Sequence, residues 1–592
     1  MSLWKKKKKE INTLEDTAPI YTEYPRPQLK RESFLCLNGT WKLGKKKIMV
    51  PFPPQSTLSE YEGRVQEHLI YEKQFRFAAG DAKKRTLLHF GAVDQICQVY
   101  LNGVYIGRHV GGYLPFTFDV TDAILFGDEI NHLEVRVLDS LSRIYPYGKQ
   151  AHFSHGMWYT QVSGIWGSVW LEQVPLVYIN RIKLTPDMEG FQYTVFISGL
   201  DELQETDEVD ISELTVAIRL DNGETISQKA SVFHDVVSGY IRCEGHPCES
   251  GAPYRVRHWC ASDPYLYPLE ISFFQDKVES YVAFRTIEVR EINHLPRVCL
   301  NGQPILLQGV LDQGYFQEGI FLPETEKGYE EDVKRMQALG MNLLRKHIKI
   351  EPEAFYYACD RLGMLVMQDM VQSGHYSLML DTVIPNLSGK KRPDALQFGL
   401  PKRKEFFEFH MEETVEHLYN HPCIVMWTLF NEGWGQFETD RLFERLKSHD
   451  RTRLVDAASG WFEQNKSDFI SEHIYYKNQD MRTGTRPLLL SECGGFSLPV
   501  VGHIWHSKAG YGYGKCADTK ELMARIQDMD EGMIGPYIRK GLCGYVYTQL
   551  SDVENEINGM YTYDRQVCKV DAAQMRAFGN RLQEIFEETV RE

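Results

Sequence analysis

A chain of 592 residues exceeds what one hydrophobic core holds, so three or four domains are expected. The net charge of −15 excludes nucleic acid as the main partner, because phosphate binding needs a basic surface. With 43% hydrophobic and 25% charged residues the composition is that of an ordinary globular protein, and no apolar run reaches the ~18 residues that cross a membrane.

Lys5 to Lys9 read as a solvated terminal tail, and no apolar stretch follows them to make a secretory leader. The cysteines are scattered, and Cys243 with Cys248 lacks the second pair that a zinc site needs. The expectation is reduced thiols in a cytoplasmic protein, with no cofactor and no metal. Up to residue 175 the chain is rich in short alternating runs broken by Gly, Pro and Asp. Examples are Gln98 to Val104, in which Asn102-Gly103 signals a hairpin, and Leu133 to Leu138. This region reads as a β-sandwich. Residues 176–290 form a second all-β unit, with Leu214 to Leu220 running into the turn Asp221-Asn222-Gly223. Its size matches an immunoglobulin-like sandwich.

From 291 to 592 apolar strands alternate with amphipathic helices. The candidate strands are Ile305 to Val310, Asn342 to Lys346, Met364 to Gln368, Ile424 to Phe430, Arg453 to Asp456, Phe469 to Ser471, Pro487 to Leu490 and Cys543 to Thr548. Helices are expected between them, for example Glu330 to Leu339 and Glu405 to Tyr419. Eight such units in this length predict a (β/α)8 barrel. A doubly wound open sheet is the alternative, and no Gly-rich phosphate fingerprint follows an early strand to support it.

Barrel chemistry sits at the C-terminal ends of strands, and several candidate strands here run into polar residues. Asp312 follows the first, Arg345 and His347 the second, and Asp369 the third. Asn431-Glu432 follow the fourth, His473 and Tyr475 the sixth, and Glu492 the seventh. Two glutamates after the fourth and seventh strands face each other across a barrel mouth. Carboxylates ~5–5.5 Å apart suit retaining glycoside hydrolysis, one protonating the leaving group and the other attacking the sugar carbon. Arg345 is placed to keep Glu492 ionised, and Asn431 to bond a sugar hydroxyl. Trp434 and Trp505 lie in loops where a ring can stack on sugar, whereas Trp158 and Trp166 read as core. A metal centre on His347, Asp369 and His375 is the rival, disfavoured by the cations of the second strand.

The longer motifs make the reading specific. Leu37-Asn-Gly-Thr-Trp41, Val99-Tyr-Leu-Asn-Gly-Val104, Gly111 to Asp119, Ser163-Gly-Ile-Trp166, Pro264-Tyr-Leu-Tyr267, Phe284-Arg285 and Leu300-Asn-Gly-Gln-Pro304 resemble, nearly end to end, family 2 of the glycoside hydrolases. That family contains β-galactosidases, β-glucuronidases and β-mannosidases. The resemblance implies a jelly-roll, sugar-binding-like sandwich over 1–175, an immunoglobulin-like sandwich over 176–290 and a catalytic barrel over 291–592. Trp427-Thr-Leu-Phe-Asn431-Glu432 matches the acid/base motif and Leu490-Ser-Glu492 the nucleophile. His473 and Tyr475 match the segment that brings a tyrosine near the nucleophile.

Two departures touch the pocket for the sugar being cleaved off. Leu311-Asp312-Gln313-Gly314 replaces the family's Asn-Arg-His-Glu run, and Tyr547-Thr-Gln549 stands where relatives often carry tryptophan. β-Glucuronidases of the family read the sugar carboxylate with Asn-x-Lys late in the barrel. This chain has no Asn-x-Lys, and a uronic acid would need another base such as Lys402 or Lys477. The β-mannosidase form of the acid/base motif differs from Phe430 to Gly435. The expected activity is an exo-β-glycosidase acting on β-D-galactosides, with arabinosides or other exo-β-glycosides behind it. A non-catalytic sugar-binding protein on this scaffold has no need of both glutamates. The partner is therefore a carbohydrate substrate; a homo-oligomer is left open.

Overall fold

In the computed structural model the described residues are 20–591, without 79, 203–212, 250, 384–392, 395–400, 476–477 and 507–508. The lysine tail and Lys477 lie outside them.

Alternation builds the first sandwich. Along His68–Phe75 the side chains of Leu69, Tyr71 and Phe75 turn inward while Ile70 and Glu72 face out, the two-residue period of a half-buried strand. Among the described residues six strands form one sheet, in the order Lys46–Val50, Gly39–Leu43, His68–Phe75, Asn131–Leu138, Ile96–Leu101, Val104–Val110. Four more, Leu35–Cys36, Val169–Val174, Arg85–Phe90 and Phe116–Asp119, form a second. Asn102 and Gly103 both take positive φ (52° and 81°), as a two-residue hairpin turn requires. The core between the sheets is aromatic and aliphatic, with Trp41, Tyr71, Val99 and Val135 fully buried.

The second sandwich pairs Tyr178–Pro186, Gly190–Ser198 and Val236–Arg242 in one sheet. Thr225–Ser231, Glu213–Arg219, Tyr267–Phe273 and Asp276–Val282 make the other. Arg285, at its end, is buried and donates to the carbonyls of Pro422, Ile424 and Thr452, which ties this unit to the barrel. A short antiparallel sheet, Ile287–Ile292 with Leu295–Leu300 and Gln303–Pro304, then leads into the barrel.

The barrel strands are β1 (Leu307–Asp312), β2 (Leu343–Lys346), β3 (Leu365–Asp369), β4 (Ile424–Thr428), β5 (Leu454–Asp456), β6 (Ile470–Ile474), β7 (Leu488–Cys493) and β8 (Leu542–Tyr547). All are parallel and run in the order β5-β4-β3-β2-β1-β8-β7-β6. Between β5 and β6 a side-chain bond, Ser471 to Asp456 at 2.8 Å, spans the remaining gap. Every residue of β1 to β4 is buried, as expected of parallel strands covered on both faces. The two helices foreseen occur at Lys327–Ala338 and Pro401–Leu418. The strand limits differ in a useful way. β6 and β7 run past the expected Ser471 and Leu490, so His473 and Glu492 lie inside strands. Polar residues read as strand terminators are here strand residues that face the mouth. No helix among the described residues is long and apolar enough to cross a membrane.

Candidate active site

Strand periodicity explains why two adjacent cations on β2 have different fates. Arg345 and Lys346 point to opposite faces. Lys346 pairs with Asp312, its register partner on β1, at 2.6 Å and with Glu351 at 2.8 Å. Arg345 points into the barrel and is fully buried. Its Nε donates to Asp369 Oδ1 at 3.1 Å, and its Nη2 to Asn431 Oδ1 at 2.8 Å. Its Nη1 donates to Glu492 Oε1 at 3.1 Å and to the carbonyl of Ser491 at 3.0 Å. One planar guanidinium thus links β2, β3, β7 and the loop after β4, a task for which its fixed fork is suited.

Glu432 lies four residues past β4, at a positive φ of 51° unusual for a side chain of its size. The backbone around it is firmly held. Glu432 N–H donates to Ser459 O at 3.0 Å, and the Trp461 indole donates to Glu432 O at 3.2 Å. Such strain costs about 1–3 kcal/mol and persists where the surroundings over-determine it, commonly at functional sites.

The two glutamates meet through His473 and Tyr475. His473 Nδ1 is 2.8 Å from Glu432 Oε1, and its Nε2 is 3.0 Å from Ser459 Oγ. The Tyr475 hydroxyl is 2.8 Å from Glu432 Oε1 and 2.9 Å from Glu492 Oε2. Ligating atoms of Glu432, His473 and Glu492 all lie within 4.8 Å of one another, so the carboxylates are as close as a double displacement needs. Tyr475 has one proton and two carboxylate neighbours. Burial and the charges of both glutamates push its pKa well up, so it remains a donor. Tyr513 stacks on it with ring centres 4.0 Å apart.

The carboxylates are electrostatically distinct. Burial alone would raise the pKa of Glu492, but the charges of His473, Arg345 and His347 outweigh it and hold the group at about 2. Burial lowers the pKa of His347, which leaves Arg345 as the permanent cation among these. Glu432 makes no ion pair with arginine or lysine among the described residues, and its Oε2 has no hydrogen-bond partner there. That oxygen is the one left open to a ligand.

Other expected residues fall on both sides. His347 Nδ1 is 2.7 Å from Asp369 Oδ2, so Asp369 orients both His347 and Arg345. The Asn431 side-chain N–H₂ has no partner among the described residues and is available to a hydroxyl. Asp312 is not brought to the carboxylates: Lys346 and the Gly314 N–H, at 2.8 Å, occupy its oxygens. Trp505 is 41% exposed against His506 and touches neither glutamate. Trp434, read as a stacking surface, is 2% exposed, because Tyr147 and Trp158 of the first sandwich pack on it at 5.5 and 5.0 Å. His375 is exposed.

The sequence leads one to expect the first sandwich to help shape the barrel mouth but names none of its residues for the site; its rim lies across the mouth. Tyr147 and Gly148 N–H donate to Gln372 O at 3.0 and 3.2 Å, and Tyr159 bonds Glu556 in the loop after β8. Glu556 is 2% exposed, and Asn558 donates to it at 2.9 Å. Short polar loops carry no local signal for such contacts.

Comparison with known proteins places the chain among relatives. The family model described as "Glycosyl hydrolases family 2, TIM barrel domain" matches residues 291–562. The model described as "Glycosyl hydrolase 2 galactose-binding domain-like" matches residues 45–163. A β-galactosidase of Thermoanaerobacter pseudethanolicus is 23% identical over 505 residues, covering 81% of this chain and 60% of that one. A putative β-glucuronidase of Formosa agariphila is 26% identical over 405 residues, covering 66% of this chain and 43% of that one. The chain thus spans 60% or less of the length of these relatives. Among solved structures, a Ruminococcus gnavus β-glucuronidase aligns with a TM-score of 0.72 at 18% identity, covering 94% of this chain and 98% of that one. A Dictyoglomus thermophilum β-D-glucuronidase aligns at 0.69 and 17%, covering 95% and 98%. At those identities the likeness is one of fold.

Proposed function

The chain belongs to glycosyl hydrolase family 2, and from that premise we propose that it is a retaining exo-β-glycosidase whose preferred substrates are β-D-galactosides. The observation that carries the reading is the pair of glutamates within 4.8 Å of each other, only one of them tied to arginine. Glu492, kept ionised, attacks the anomeric carbon. Glu432, through its free Oε2, protonates the departing oxygen and then takes a proton from the water that releases the sugar. Tyr475 and His473 hold both carboxylates in register, and Asn431, oriented by Arg345, bonds a sugar hydroxyl beside the reacting carbon. No metal or cofactor is assigned to the reaction.

Support for a neutral sugar comes from the loop after β8. Where the family's β-glucuronidases carry Asn-x-Lys, this chain reads Asn555-Glu556-Ile557-Asn558. A buried carboxylate at Glu556 repels a uronate and accepts hydrogen bonds from hydroxyls. Lys402 sits exposed at the start of the helix Pro401–Leu418. The β-galactosidases among the relatives agree with this choice. An aryl β-galactoside is accordingly expected to be turned over faster than the matching β-glucuronide in a panel of aryl glycosides. A glucuronide preference would reject the sugar assignment and leave the mechanism standing.

Arg345→Met tests the asymmetry of the pair. The nucleophile's low pKa depends on the guanidinium, so in the variant Glu492 titrates higher and the acid limb of kcat/KM moves to higher pH. We expect kcat to fall roughly 10²-fold, the scale of losing one preorganised charged donor, with a smaller change in KM. Unchanged kcat and an unmoved acid limb would take Arg345 out of the reaction.

A further inference from the structure

A groove of about 420 Å³ runs along the rim of the first sandwich, lined by Arg143, Tyr147, His152, Phe153 and Trp158 and, from the barrel, by Tyr376. Through Trp158 its inner wall abuts the loop that carries Glu432. Trp158 packs edge-on against Trp434 at 5.0 Å and Tyr376 at 5.4 Å, and Trp434 follows Glu432 by two residues. On the proposed mechanism the group protonated by Glu432 is the leaving group, and a groove abutting the Glu432 loop is placed to receive it. The rim is fixed in this position by main-chain bonds. Gly374 N–H donates to Arg143 O at 2.8 Å, and Tyr159 N–H to Lys149 O at 2.9 Å.

The chemistry of the lining is unusual for a chain with net charge −15. Among the described residues no acidic side chain lines the groove. Arg143 is exposed and makes no ion pair among the described residues. Lys149 is not part of the lining but flanks it, its Nζ 5.9 Å from the Trp158 ring centre, and likewise has no ion-pair partner among the described residues. Its charge reaches inward far enough to favour the ionised forms of Glu492 and Glu556. Flat faces are plentiful too: Phe153 is 86% exposed, and Trp158 and Tyr376 are half-buried. Two unpaired cations beside exposed rings are a recognition surface for a planar or ring-shaped group that carries negative charge.

We propose that this groove is the leaving-group subsite, and that it selects glycosides whose leaving group is a ring bearing an anionic substituent, read by Lys149 and Arg143. The proposal rests on the reading of the site as a β-glycosidase and adds to it the class of group released.

The test is isothermal titration with two uncleaved thioglycosides, 4-carboxyphenyl and 4-carbamoylphenyl 1-thio-β-D-galactopyranoside, which differ in charge at nearly constant shape. The wild type is expected to bind the carboxylate about tenfold more tightly, the scale of one hydrogen bond to a charged, half-exposed group. Lys149→Met and Arg143→Met are expected to erode that ratio, with the neutral ligand losing less than the charged one. Equal affinities in the wild type, a preference that survives both substitutions, or no binding of either ligand overturns the subsite. Turnover separates this from the parent reading. A charge preference without hydrolysis of any aryl glycoside removes the hydrolase assignment and leaves the groove. Hydrolysis without a charge preference does the reverse.

Discussion

Glu492→Ala is expected to abolish turnover of every glycoside, activated ones included, with a fall in kcat of roughly 10⁵–10⁶-fold, the scale of removing a covalent nucleophile. The geometry leaves no substitute. Cys493 is buried with its Sγ turned to the Val546 carbonyl on β8 at 3.4 Å. Asp369 is occupied by Arg345 and His347. The fold should survive, because Arg345 keeps Asp369 and the carbonyl of Ser491 as partners, and a thermal melt checks this. Azide fitting into the space left by the carboxylate would attack from the same face and yield the inverted glycosyl azide. Substantial turnover of a dinitrophenyl glycoside by this variant, with retention, would remove Glu492 from its role.

Glu432→Ala is expected to give a different pattern because the loss depends on the leaving group. General acid help is worth ~10²–10⁴-fold, and poor leaving groups such as alkyl or sugar alcohols should suffer the whole of it. A dinitrophenyl leaving group needs little protonation, so its glycosylation step should be nearly preserved and the glycosyl-enzyme should accumulate. Azide, which needs no general base, should then restore turnover and give the azide of retained configuration. The contrast between the two variants in the configuration of the azide product separates acid/base from nucleophile without reference to absolute rates. Identical behaviour of both variants toward azide would refute the division of labour.

Much of this was legible in the sequence, for identifiable reasons. All eight barrel strands are short apolar runs flanked by turn residues, and each lies within a few residues of its expected place. Glu432 and Glu492 stood out because each follows an apolar strand that has no structural use for a carboxylate at that point. Arg345 stood out as a cation within a β-strand. What local pattern does not encode is pairing across the chain. Asp312 has the look of a ligand at a strand end, but the β1–β2 register sets it opposite Lys346, which claims it. Trp434 has the look of an exposed loop aromatic, yet Tyr147 and Trp158, from another domain, bury it. Lys149 and Glu556 gave no signal, and Trp158 read as core although it is half-buried and lines the groove, since their importance arises only once the first sandwich rim meets the loops after β3 and β8.

The central claim is that two differently held carboxylates carry out a double displacement, and the stereochemistry of the first-formed sugar tests it most directly. Proton NMR of the wild-type protein turning over an aryl β-galactoside, recorded before mutarotation, is predicted to show the anomeric signal of the β-sugar appearing first, with the α-signal growing in later. First appearance of the α-anomer would mean a single displacement by water, and would contradict the roles given to Glu432 and Glu492.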